Sequence, residues 1–114
     1  MTPLKLAQRY LDIFYGGGAI DDLRAILADD LSFRGPFYRF DSAAAYIDAL
    51  KSDPPEASSY QILASYEYDN SACLIYQFSK QAITTPMAQT FELVDGKIAR
   101  ILLIFDSAVF IGKQ

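Results

Sequence analysis

Histidine is absent from the 114 residues. Acid–base chemistry would therefore fall to carboxylates, phenols or the one thiol, and the Ser-His-Asp, Cys-His and zinc arrangements that need an imidazole are excluded. Asp106, at the end of an apolar strand pattern, is the candidate acid or base, against the plainer reading of a surface carboxylate. Tyr10 sits on the apolar stripe of a helical pattern, where a buried phenol ties its hydroxyl to the backbone or faces a pocket. Arg34, beside Gly35, either holds an acidic ligand group or pairs with Asp29 or Asp30. The run Gly16-Gly17-Gly18 would suit a phosphate cradle after a strand; here it follows a helical pattern and precedes two aspartates, so it ends a helix. The stretch LSFRGPFYRF, residues 31–40, gathers four aromatics and two arginines around a Gly-Pro turn, as a pocket wall or a packed corner would. No metal and no cofactor is called for.

These groups need a frame, and the length fits one domain spanning residues 1–114 with one core. Apolar residues make up 52% of the chain, more than a lone domain of this size needs, which points to a lined pocket, a buried subunit interface, or both. The net charge is −4 with no basic cluster, so nucleic acid is not an expected partner. Neither a signal pattern nor a membrane-length apolar run is present, and the single Cys73 allows no internal disulfide; the expectation is a cytoplasmic protein with no membrane role.

Thr2-Pro3 reads as an N-cap and first helical residue, followed by Leu4, Leu6, Ala7, Tyr10, Leu11, Ile13 and Phe14 at helical spacing. A second, short helix carries Leu23, Ile26 and Leu27 and ends at Asp29-Asp30. A brief strand over Leu31 to Phe33 follows, and Asp41 or Ser42 caps a third helix to about Leu50, with Tyr46, Ile47 and Leu50 inward. Four strands come next, over Tyr60–Tyr68, Ala72 to about Lys80, about Thr84 to Val94, and Lys97–Phe105, joined by turns at Asp69-Asn70-Ser71 and Asp95-Gly96. Helices first and an antiparallel meander second is an α+β arrangement.

The last hairpin admits two registers. A three-residue turn with a glycine bulge puts Met87, Gln89, Phe91, Ala99, Ile101, Leu103 and Phe105 on one face, and Thr90, Glu92, Arg100 and Asp106 on the other. That separation of apolar from polar groups favours the bulge. Gln89 is then the single polar group on an apolar face, where its amide must be hydrogen-bonded or face a cavity. Ile98, Leu102 and Ile104 fall on the polar face, an apolar set whose expected cover is a second chain, giving a homodimer through the sheet.

The segments RYLDIFYGGGAIDDLRAILADDLSFRGPF (residues 9–37), FDSAAAYIDAL (40–50) and FELVDGKIARILLIFD (91–106) resemble the nuclear transport factor 2-like superfamily. This group includes ketosteroid isomerases, limonene epoxide hydrolases, scytalone dehydratases and SnoaL-like polyketide cyclases. The resemblance implies a cone: N-terminal helices packed in a strongly curved antiparallel sheet, with a deep apolar pocket at the open end. It implies a pocket lined by Tyr10, Phe14, Phe33, Phe37, Met87, Gln89, Phe91, Leu103 and Phe105.

Laid on the isomerases, Tyr10 matches one oxyanion donor, Gln89 stands where the second donor is an acid, and Gly35, before Pro36-Phe37, stands where the catalytic base would be. The isomerase mechanism therefore lacks its base. Arg39-Phe40-Asp41 has the Arg–Asp spacing of the epoxide hydrolases but enters a helix, and the dehydratases require a histidine. Asp106 approximates the acidic residue of the cyclases, although the register points it away from the pocket face. Three readings stay open: a domain binding a hydrophobic small molecule without catalysis; a SnoaL-like cyclase, isomerase or hydratase; and a dimeric module whose pocket is filled by its own side chains.

Overall fold

The structure, a computed structural model, describes residues 1–55 and 57–111. Helix α1 (Pro3–Asp12) opens as the sequence predicts, with the Thr2 hydroxyl accepting the Lys5 amide and Pro3 in the first turn. Its end widens into a π-type turn over Ile13–Gly17, where Gly16 takes φ 101°, a conformation that favours glycine. The second helical segment is a 3-10 turn, Ile20–Ala25, and it is shorter than expected.

Leu27 belongs instead to β1 (Leu27–Arg34), so Asp29 and Asp30 lie inside a strand rather than ending a helix. They are tolerated because β1 loses register against its neighbour between Leu27 and Ser32, and this irregular stretch leaves both carboxylates in solvent. A two-residue β2 (Arg39–Phe40) closes the Gly-Pro loop back onto β1. Helix α2 (Ala43–Ser52) starts at Ser42, whose Oγ accepts the Ala45 amide at 3.1 Å.

The meander follows as β3 (Ser58–Tyr68), β4 (Ser71–Lys80), β5 (Ile83–Val94) and β6 (Lys97–Phe105), and a single helical turn, α3 (Ala108–Ile111), completes the described chain. The strands form one curved, unclosed sheet in the order β2-β1-β6-β5-β4-β3, antiparallel throughout except where β1 runs parallel to β6. Helices α1 and α2 fill its concave side, burying Leu6, Tyr10, Leu11, Tyr46 and Ile47 against Leu74, Tyr76, Phe91 and Ile101. Among the described residues no helix is long and apolar enough to cross a membrane.

The last hairpin keeps the anticipated faces by a different route. Asp95 and Gly96 both take positive φ, 53° and 78°, which makes a two-residue turn whose twist matches the strands. The extra residue is absorbed at Ala99, where pairing passes from Leu93–Ile98 to Glu92–Arg100. Beyond it Met87 faces Phe105, Gln89 faces Leu103 and Phe91 faces Ile101, the expected register. Ile98, expected on the outer face, is instead fully buried, because it lies on the turn side of the bulge.

Candidate functional site

Two tyrosines from helices and two residues from strands meet at the inner end of the cone. Tyr10 comes from α1 and Tyr46 from α2, and their hydroxyls hydrogen-bond each other. Tyr76 on β4 donates its hydroxyl to Gln89 Oε1 on β5 at 2.8 Å. All four are at most 3% exposed, and no buried side-chain polar atom among the described residues is left without a partner or a cavity face. They surround a cavity of about 110 Å³ together with Phe14, Tyr15, Phe33, Phe78, Met87 and Leu103.

A larger cavity of about 390 Å³ occupies the mouth, walled by Phe37, Phe40, Phe105, the Gly35-Pro36 turn and Pro54-Pro55. Phe14, Phe33, Tyr46 and Leu103 line both spaces. Charged groups reach only the outer one, as Asp53 and Lys80.

The inner end is a hydrogen-bond donor surface. Burial raises the Tyr10 phenol well above its ordinary range, with Tyr46 beside it adding to the effect; burial also raises Tyr46 and Tyr76, and pushes Tyr15 up to about 12. These hydroxyls stay protonated near neutrality. The Tyr10–Tyr46 pair holds two protons and spends one between its oxygens, so one remains to donate. The Gln89 carbonyl is taken by Tyr76, and the Gln89 side chain acts on the Tyr10 hydroxyl as well, where it partly offsets the rise that burial causes. Such a set can polarise an acceptor oxygen, and it contains no group that takes up a proton near neutral pH.

Of the residues expected around a pocket, Tyr10, Met87 and Gln89 line the inner cavity, Phe14, Phe33 and Leu103 line both, and Phe37 and Phe105 line the mouth. Phe91 lines neither; its ring packs edge-on against Tyr10 at 5.4 Å, supporting it from behind. Asp106 also lines neither. It is exposed, and its carboxylate accepts the Ala108 amide at 3.0 Å, capping α3. Gly35 faces the pocket: a Cβ there would meet Phe33 and Leu103 at 3.4–3.7 Å, in ordinary contact with two residues that line both cavities. A first side-chain carbon would thus be accommodated at the position where the resemblance would put a base.

Arg34 pairs with neither Asp29 nor Asp30. Its guanidinium donates to the carbonyls of Phe33 (2.8 Å) and Phe40 (3.0 Å) and to the Asp41 carboxylate (2.8 Å), clamping the loop that carries Phe37. This occupies Asp41 as well, leaving the Arg39-Phe40-Asp41 spacing a structural one.

Sequence reasoning overlooked the hydroxyls of Tyr46 and Tyr76. Both were discoverable: Tyr46 is on the inward stripe of α2, and Tyr76 continues the buried alternation Ala72, Leu74, Tyr76, so each hydroxyl had to find a partner in the interior.

A search of curated protein sequences finds no match. Solved structures do resemble the chain. A protein from Kribbella flavida superposes with TM-score 0.84 at 21% identity, over 97% of this chain and 92% of its own. A Pseudomonas putida protein whose name proposes polyketide cyclase activity gives 0.81 at 16% identity, over 99% and 98%. An epoxide hydrolase of the limonene type from M. tuberculosis gives 0.79 at 16%, over 96% and 86%. At these identities the likeness speaks for the fold. The family model for the SnoaL-like domain matches residues 7–101, a span that includes Tyr10, Tyr46, Tyr76 and Gln89, and the chain accordingly belongs to the SnoaL-like family of the nuclear transport factor 2-like superfamily.

Proposed function

We propose that the chain binds a flat, largely apolar small molecule whose neutral acceptor oxygen sits at the inner end of the cone. The observation that carries this reading is the spare donor of the Tyr10–Tyr46 pair at the end of an aromatic passage. An uncharged oxygen suits it, since no cation lines the inner cavity to compensate a carboxylate. Equilibrium dialysis with 2-acetonaphthone and naphthalene tests it. The ketone is expected to bind about tenfold more tightly, the worth of one net hydrogen bond, and the double variant Tyr10→Phe/Tyr46→Phe, which removes both hydroxyl protons, to erase the difference. Equal binding of the two probes, or none, overturns the reading.

A second reading makes the site catalytic, as a SnoaL-like cyclase, isomerase or hydratase. It is favoured by Asp53, the one carboxylate among the residues lining either cavity, which takes over the acid–base role first given to Asp106. Turnover that survives Asp53→Asn excludes Asp53 from that role.

A homodimer completes the proposal. Cross-strand rows Ala64–Ile75–Ala88–Ile104 and Tyr66–Cys73–Thr90–Leu102 run across the outer face, with Ile104 53%, Leu102 44% and Tyr66 60% exposed. A second copy covers them, and a monomer in sedimentation equilibrium removes this part. The same reading places the protein in the cytoplasm, where the lone Cys73 stays a thiol.

A further inference from the structure

Phe110 is the one large aromatic of α3, and it reaches three different elements. Its ring lies 6.1 Å from Phe37 in the β1–β2 loop, 5.9 Å from Phe78 on β4 and 5.1 Å from Phe105 on β6. Phe37 and Phe105 wall the mouth, and Phe78 walls the inner cavity. Phe110 itself lines neither cavity; it packs behind rings that wall them, on the side where the sheet runs out.

What holds α3 there is slight by comparison. The helix is a single turn, and an isolated turn does not stand by itself in water. Its own bonds are the Asp106 carboxylate to the Ala108 amide, the Phe110 and Ile111 amides to Ser107 O at 3.1 and 3.3 Å, and a longer Val109 amide to Asp106 O contact. None of its four residues is fully buried, and Ile111 is 57% exposed. Phe110 is its anchor, and that anchor is an aromatic contact of the kind a flat ligand would itself make with Phe37, Phe78 and Phe105.

We propose that α3 is a hinged stopper, swinging about Asp106–Ser107, whose Phe110 holds Phe37, Phe78 and Phe105 together behind the cavity walls and withdraws to let those rings part for a ligand. The proposal rests on the reading that the cavities bind a small molecule. Phe110 leaves its three partners, the mouth widens towards Phe78, and the bound molecule then takes its place or lies beneath it. Close-packed cores do not part, so entry runs through a short terminal element with no buried residue.

Two measurements test this independently. In the unaltered protein, hydrogen exchange of the Phe110 and Ile111 amides is expected to be at least about a hundredfold faster than that of Ile101 in β6, because the stopper opens without unfolding the sheet. Exchange in step with Ile101 overturns the proposal. In stopped-flow mixing with 2-acetonaphthone, Phe110→Ala is expected to raise the association rate about tenfold and Phe110→Trp to lower it. Association unchanged in both variants overturns the stopper while leaving the binding reading standing. Should neither the protein nor its variants bind the ketone, the binding reading fails, and exchange at Phe110 alone decides whether α3 opens.

Discussion

At the inner end of the cone Tyr10, Tyr46 and Tyr76 are at most 3% exposed and every hydroxyl is partnered; at the mouth Tyr38 is 62% and Phe37 47% exposed, and their contacts are with other rings, Phe105 and Phe110 for Phe37 and Phe40 for Tyr38. The same residue types are used in both places. Depth decides what each does: inside, removal of one group strands another in a medium without water, whereas at the mouth solvent replaces whatever is lost. The inner end is therefore rigid and selective, and the mouth is tolerant and adjustable.

Alkali should break this contrast most completely. Burial lifts the phenols of Tyr10, Tyr46 and Tyr76, and that of Tyr15 to about 12, so the folded chain holds these protons more tightly than the unfolded chain, whose phenols titrate near about 10. The resulting stability is fully present below the unfolded value and is lost as pH rises through the folded ones. Phenolate absorbance of the buried tyrosines is expected to appear together with loss of circular dichroism. Ionisation preceding any loss of structure would mean that the inner end is wet.

Truncation comes next in size. Phe91→Ala removes the ring behind Tyr10 and is expected to cost about 3–5 kcal/mol in urea unfolding. A loss below about 1 kcal/mol would show that the donor set needs no support from behind.

Gln89→Leu is expected to cost about 1–3 kcal/mol, because the Tyr76 hydroxyl loses its acceptor. Adding Tyr76→Phe should return most of that loss, since both partners are then apolar. Additive losses in the double variant would deny the coupling. The smallest effect belongs to Phe37→Ala, at about 1 kcal/mol or less in stability, with a measurable change in 2-acetonaphthone affinity instead. A large stability loss there would erase the distinction between the two ends.

Features set by local chemistry were legible before the structure. The Thr2-Pro3 start, a cap at Asp41 or Ser42 ahead of α2 and the shared face of Gln89 and Leu103 each follow from a few neighbouring residues. Gln89 stood out as one amide among apolar neighbours. Misreadings arose where a distant partner decides. Asp29 and Asp30 look like a helix end until the irregular β1–β6 pairing supplies a strand with a solvated stretch. Ile98 looks outward until the bulge moves to Ala99. The Tyr10–Tyr46 and Tyr76–Gln89 bonds join residues 36 and 13 positions apart, and Arg34 met Asp41 through a hairpin only two residue pairs long.

The single parallel pairing also governs time. Neighbouring strands of the β3–β6 meander meet across short turns, whereas β1 reaches β6 only by bringing Leu27 to Ile98. Closing so long a loop is slow compared with forming hairpins, so the N-terminal helices are expected to dock onto a sheet already largely made. Tyr10 and Tyr46 arrive with them, after Tyr76 and Gln89 are in place. The donor set is then the last part of the molecule to exist during folding, and its buried phenols double as a clock for the final step.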